Sequence, residues 1–153
     1  MKARLDYTKT SPEAFKAMVQ LEGAVRRSGI DPTLLELVKI RASQLNGCAY
    51  CIDMHTKDAR ARGETEQRIY ALSAWRETPF FSDKERAALA WTEAITNIQQ
   101  GHAHDAVYDE LSSNFTEEER VNLTLAIITI NGWNRIAIGF RTVPGGYQPA
   151  AAP

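Results

Sequence analysis

Apolar residues recur along this chain at three- and four-residue intervals between helix start and stop signals, and no run of period-2 alternation argues for a strand. The pattern predicts an all-α protein. Ser11, Pro12 and Glu13 open a first helix, whose apolar stripe of Phe15, Met18, Val19 and Val25 ends before Gly29. Asp31 and Pro32 repeat the signal, and Leu34, Leu35, Leu37, Val38 and Leu45 carry a second helix to Asn46-Gly47. A third runs from about Cys48 to Arg62 and stops at Gly63. Thr65 caps a short fourth through Trp75, closed by Thr78-Pro79. Ser82 and Glu85 form a capping box for a fifth helix ending near Gly101, and a short segment follows from Asp105 to Leu111. Thr116 and Glu119 make a second box, opening the last and longest helix towards Arg141. Its middle is β-branched enough to resemble a buried strand, but length and cap favour a helix enclosed by others. The tail after Val143, ending in PAAAP, reads as irregular and frayed.

The 153 residues suit one domain over 1–153, a bundle of about six to seven helices that buries roughly 70% of its unfolded surface. With 44% hydrophobic and 24% charged residues, the composition excludes collagen-like and disordered chains. Eighteen Lys and Arg against 19 Asp and Glu leave no basic excess, so nucleic acid is not an expected partner. No apolar stretch of signal length opens the chain, and Asn122, Asn131, Asn134 and Arg135 interrupt the most apolar segment. The expectation is a cytoplasmic protein with no membrane partner. In that compartment two cysteines in C-x-x-C spacing point to redox chemistry or metal binding.

Cys48, Cys51 and His55 fall within an arc of about 60° on one helix, and cysteines three apart can close a disulfide with little backbone movement. A thiol of pKa about 8.5 needs help to act at neutral pH. Cys48, just after Gly47, is expected to be exposed and to feel the positive end of the helix dipole. Cys51 is one turn before His55, which could accept its proton. If Asn46-Gly47 folds the second helix back on the third, Glu36 comes level with His55 to within about one turn and can orient it. Zinc is the rival occupant, since Cys48, Cys51, His55 and Glu36 make an acceptable ligand set, although three of the four come from one helix.

Other features have plainer readings. His102 and His104 could hold a metal but more simply face solvent. Trp75, Trp91 and Trp133 suit the core or a subunit contact. Lys57 to Arg68 reads as a solvated helix face. Asn131, Asn134 and Arg135 need hydrogen bonds if buried, in a structural role before a catalytic one.

Glu36, eleven residues, Cys48, two residues, Cys51, three residues and His55 together resemble the motif of AhpD-like alkylhydroperoxidases, in the carboxymuconolactone decarboxylase superfamily. The run from Leu34 to Cys48 and the Asn131–Arg135 segment extend the resemblance along most of the chain. It implies an all-helical homo-oligomer, dimer-based and assembled as a trimer or hexamer. It implies reduction of small hydroperoxides by a redox-active Cys48/Cys51 pair, with no bound cofactor and no metal. A proton relay would run through His55 to Glu36, and a lipoyl-bearing or thioredoxin-like dithiol would restore the thiols. The sequence departs from the family where Tyr50 replaces a histidine before the second cysteine. A phenol can donate a hydrogen bond but is a poor base at neutral pH. Proximity to His55 favours Cys51 as the attacking sulfur with Cys48 resolving, whereas the helix terminus and its expected exposure favour Cys48. Lactone decarboxylation and a zinc-binding or redox-sensing module are the alternatives the same residues allow.

Overall fold

The computed structural model describes residues 1–149, which form nine α-helices and one 3-10 segment, with no strand among the described residues. The helices are α1 (Tyr7–Thr10), α2 (Pro12–Arg26), α3 (Pro32–Asn46), α4 (Ala49–Ala61), α5 (Glu66–Ala71), α6 (Asp83–Thr96), α7 (Ile98–Gly101), α8 (Asp105–Asn114) and α9 (Glu117–Phe140). The 3-10 segment, Leu72–Glu77, follows α5 directly.

The expected start signals are realised as hydrogen bonds. Asp31 accepts from the Leu34 N–H and Thr65 from that of Arg68, while Ser82 with Glu85 and Thr116 with Glu119 close complete capping boxes. Ser11 makes no side-chain cap, so α2 begins on the pre-set φ of Pro12. The helix count exceeds the expected six to seven largely because of two one-turn elements. Helix α1 is capped by Asp6 and seated by Tyr7, whose ring lies 6.1 Å from Phe15 and 5.7 Å from Phe140. Helix α7 is cut from α6 at Asn97, a residue that competes with the helical backbone for hydrogen bonds. The expected helix through Trp75 instead tightens to 3-10 geometry after Ala71, with a kink at Ala74.

Helix α3 packs against α4, α6 and α9, and nine of its fifteen residues are buried. One apolar cluster joins α3, α6, α8 and α9 around Leu35, Val38, Trp91 and Ile127. A second joins α3, α4, α5, the 3-10 segment and α6 around Leu37, Ile40, Leu72 and Trp75. A third, smaller one places Ala42 of α3, Cys48, Cys51 and Ile130 of α9 together. Helix α9 has the length and apolarity of a membrane span, with 44% of that window buried inside the fold. It is a helix as expected but only partly enclosed: one face joins the core, and Val121, Leu125 and Ile128 on another are exposed. Trp75 and Trp91 are core residues, and Trp133 packs on the cysteine cluster.

Two expectations change. The charge-rich stretch from Lys57 to Arg68 is not simply solvated, because Glu64 is buried and receives the Arg68 guanidinium at 2.9 Å. The tail is irregular as expected, but residues 145 and 147 are tied to α4 rather than frayed. The final Ala-Ala-Ala-Pro lies outside the described residues.

Candidate active site

Gly47 adopts the left-handed conformation, φ 68°, and its N–H donates to the Ser43 and Gln44 carbonyls that α3 leaves open. The chain reverses there, and α4 packs along α3. Cys48 becomes the N-cap of α4, a position normally held by an oxygen side chain, and its Sγ accepts the Cys51 N–H at 3.4 Å. Both cysteines are free thiols, with Sγ atoms 2.7 Å apart, inside non-bonded contact and beyond the covalent bond of about 2.05 Å.

The pair is polarised. The Cys51 thiol, its backbone N–H and the Asn134 side chain draw Cys48 down to about 7 despite its burial. Cys51, which donates to its neighbour and is itself desolvated, is pushed well above the ordinary thiol range. Of the two, Cys48 is the sulfur that ionises first. Cys48 does not have the exposure expected at a helix terminus: the two cysteines are only 1% and 2% exposed, because Ala42, Ile130, Ala137, Tyr50 and Trp133 close around them.

Glu36 and His55 meet as expected. Nδ1 of His55 lies 2.8 Å from Oε2 of Glu36, and both residues are buried. Burial pushes the Glu36 carboxyl up, but the His55 hydrogen bond and the charges of His55, Lys39 and Arg62 outweigh it and hold the group ionised. The carboxylate holds the imidazole through Nδ1 and leaves Nε2 outside that contact. Among the described residues no hydrogen bond joins His55 to either sulfur, so thiol pair and imidazole–carboxylate pair stand one helical turn apart.

Asp58 was absent from the sequence reading. Its carboxylate lies with Glu36 and His55 in a cluster whose ligand atoms are all within 4.8 Å of one another, and it accepts the Tyr147 hydroxyl at 2.7 Å. Its i+3 spacing from His55 was the available signal, obscured by the surrounding charges. Among the described residues this is the cluster with metal-ligand spacing, and the cysteines are not part of it. Tyr147 and Gly145 strap the tail across Asp53, Lys57 and Asp58.

Tyr50 is half-buried against the cysteines, where burial first, then Tyr7, Cys51, Asp53 and Cys48, push its phenol up. It stays a neutral donor. Asn131 and Asn134 form a network with Asn46, Ser43 and Thr96 that ties α9 to α3 and α6, while Arg135 is exposed and bonds to Asn131. His102 and His104 are exposed.

The chain matches the carboxymuconolactone decarboxylase family over residues 12–94, more than half its length. It is 49% identical to protein YdfG of Bacillus subtilis (strain 168) over 138 residues, covering 90% of this chain and 94% of the relative. A crystal structure from Agrobacterium tumefaciens, whose name proposes an antioxidant defence protein AhpD, superposes with a TM-score of 0.92 at 46% identity, covering 95% of this chain and all of that one. A peroxidase-related protein from Ralstonia eutropha with an AhpD core gives 0.79 at 18% identity, over 91% of this chain and 74% of that one, a likeness of fold. The chain therefore belongs to the carboxymuconolactone decarboxylase family, as an AhpD-like member.

Proposed function

We propose that this protein is a thiol-dependent peroxidase of the reducing cytoplasm, taking hydrogen peroxide or small organic hydroperoxides. The observation that carries the reading is the sulfur pair itself: two free thiols 2.7 Å apart, one of them drawn down towards neutrality, so that the pair readily sheds one proton and either sulfur can trap the other's oxidised product. The 46% identity to a structure named for antioxidant defence supports it.

The pair holds one proton. In the reaction it passes from Cys51 to Cys48, and the Cys51 thiolate attacks the terminal peroxide oxygen. The S–O bond forms, the O–O bond breaks, and the alkoxide takes a proton relayed from His55. Cys48 then attacks the Cys51 sulfenic acid. The S–S bond forms, and the hydroxyl leaves with the Cys48 proton as water. His55, held by Glu36, exchanges these protons through water across the turn that separates it from Cys51. Cys51 takes the attacking role because it is the sulfur nearer that pair along α4, and Cys48, once it holds the transferred proton, resolves the sulfenic acid. Tyr50 positions the peroxide or a sulfur. A lipoyl-bearing or thioredoxin-like dithiol reduces the disulfide and is itself oxidised.

A homo-oligomer belongs to the same reading, supported by Val121, Leu125 and Ile128, which expose an apolar face at i, i+4 and i+7 on α9. That face lies in the N-terminal half of α9, away from the Asn134 segment beside the sulfurs.

The test is single-turnover oxidation of the fully reduced protein by cumene hydroperoxide, with thiols and alcohol product counted together. Loss of two thiols per alcohol formed supports the assignment. Loss of thiols without alcohol, or none at all, rejects it.

A further inference from the structure

We propose that the Trp133 indole of α9 is a gate over the cysteine pair, and that it sets the size of the reagent that reaches the sulfurs. The inference deepens the peroxidase reading and rests on it for its use in turnover.

Attack on a peroxide and exchange with a dithiol both require an atom of the reagent to touch sulfur, and neither sulfur is exposed enough to be touched as it stands. The apolar shell around the pair has two parts. Ala42, Ile130 and Ala137 are buried in the bundle, so none of them yields without opening the core. Tyr50 and Trp133 are only partly buried and carry the shell to the surface. The route to the sulfurs therefore runs past these two rings. Tyr50, in the first turn of α4 between the two cysteines, forms one rim, and Trp133 forms the other.

Trp133 is the rim that is free to turn. Trp75 donates its indole N–H to Glu93 at 2.8 Å and Trp91 donates to Thr124 at 2.9 Å, so both of those rings are pinned. The Trp133 N–H makes no hydrogen bond among the described residues and is not one of their buried unpartnered atoms, so it meets water. From outside, the indole is steadied by Phe15 of α2, set edge-on at 5.9 Å between ring centres and itself only partly buried. Beyond Phe15 lies an apolar cleft of about 330 Å³, lined also by Leu5, Met18, Ile136 and Phe140, which leaves room for that ring to give way. The backbone beneath the indole is held on both sides. Asn134 bonds to Asn46 at 2.8 Å and to Ser43 at 3.0 Å, and Asn131 bonds to Thr96 at 3.0 Å. Opening is therefore a side-chain movement on a fixed helix, and it leaves the cysteine geometry intact while the passage is open.

The test compares methyl and benzyl methanethiosulfonate on the reduced protein at one pH, with folding checked by circular dichroism. In both reactions a protein thiolate bonds to the sulfenyl sulfur and displaces methanesulfinate. The thiolate fraction cancels in the ratio of the two rates, so a change of that ratio between variants reads access. Trp133→Ala should raise the benzyl rate about tenfold or more and the methyl rate less than about threefold. Trp133→Phe, with a smaller ring, should fall between it and wild type. Trp91→Phe loosens a different apolar cluster and should leave the ratio at its wild-type value, because exposure by unfolding admits both reagents alike. An unchanged ratio in folded Trp133→Ala, or an equal change in Trp91→Phe, overturns the proposal. If Trp133→Ala does not fold, the ratio in Trp133→Phe decides alone. No peroxide enters the measurement, so failure of the peroxidase reading would leave the gate standing, and an unchanged ratio would remove the gate without touching that reading.

Discussion

His55 and Glu36 are nineteen residues apart in sequence, yet Nδ1 and Oε2 meet at 2.8 Å because one left-handed residue, Gly47, lays α4 back along α3. Removing either partner therefore has two separable effects. His55→Ala leaves a buried carboxylate unpaired and should cost about 3–5 kcal/mol in urea unfolding. Glu36→Gln keeps a hydrogen-bonding group and should cost only about 1–2 kcal/mol. Stopped-flow oxidation by cumene hydroperoxide should slow on the order of a hundredfold in both. Equal rates in wild type and His55→Ala would remove the imidazole from the mechanism.

The two sulfurs should respond differently to serine. Cys48→Ser retains the attacking sulfur but not the resolving one, so one peroxide should leave a sulfenic acid that dimedone traps on Cys51. In Cys51→Ser, single-turnover consumption should fall on the order of a hundredfold or more. Full peroxide consumption by Cys51→Ser would reverse the assignment.

The lowered Cys48 thiol predicts how stability follows pH. Its folded pKa, about 7, lies below the unfolded value of 9.0, so between them the unfolded chain binds more protons and stability rises with pH. The contribution is complete above about 9 and disappears as pH falls through 7. The unfolding free energy of the reduced protein from urea titration should rise across that window, by on the order of 2 kcal/mol, and that of the disulfide form should not. A flat reduced-state profile would contradict the polarised pair.

Gly47→Ala isolates the cost of handedness. A Cβ at Gly47 would meet nothing within 4 Å, so the substitution clashes with no neighbour and strains only the backbone. It should cost roughly 1 kcal/mol, seen as a fall in Tm of about 3 °C.

The apolar face of α9 predicts assembly. If the proposed homo-oligomer forms through this face, Val121→Glu combined with Ile128→Glu should lower the sedimentation coefficient of the wild-type assembly to that of a monomer while leaving helix content unchanged. Identical sedimentation of variant and wild type would place the subunit contact elsewhere.

Signals that act within one helical turn were legible in the sequence. The Ser82/Glu85 and Thr116/Glu119 boxes, the Asp31 and Thr65 caps and the Gly47 stop all depend on neighbours three or four residues away. The spacing of Glu36, Cys48, Cys51 and His55 was equally readable, since it needed only one reversal. What stayed hidden depends on distant partners. Helix α1 is seated by rings from α2 and α9, and the Cys48 sulfur is covered by Trp133 and Ile130 from the other end of the chain. Asp58 looked like one more surface charge until the fold set it beside Glu36. The direction of the Asn134 amide is fixed by Asn46, eighty-eight residues earlier, which no local pattern encodes.

The strap across α4 makes a chain end part of the site's wiring. Tyr147 gives its hydroxyl hydrogen to Asp58, whose carboxylate shares a 4.8 Å cluster with His55 and Glu36. Cutting the chain before Tyr147 would withdraw that hydrogen from a carboxylate standing beside the imidazole. Trimming an innocuous-looking tail thus changes the electrostatics around the His55–Glu36 pair from a residue eighty-nine positions beyond Asp58.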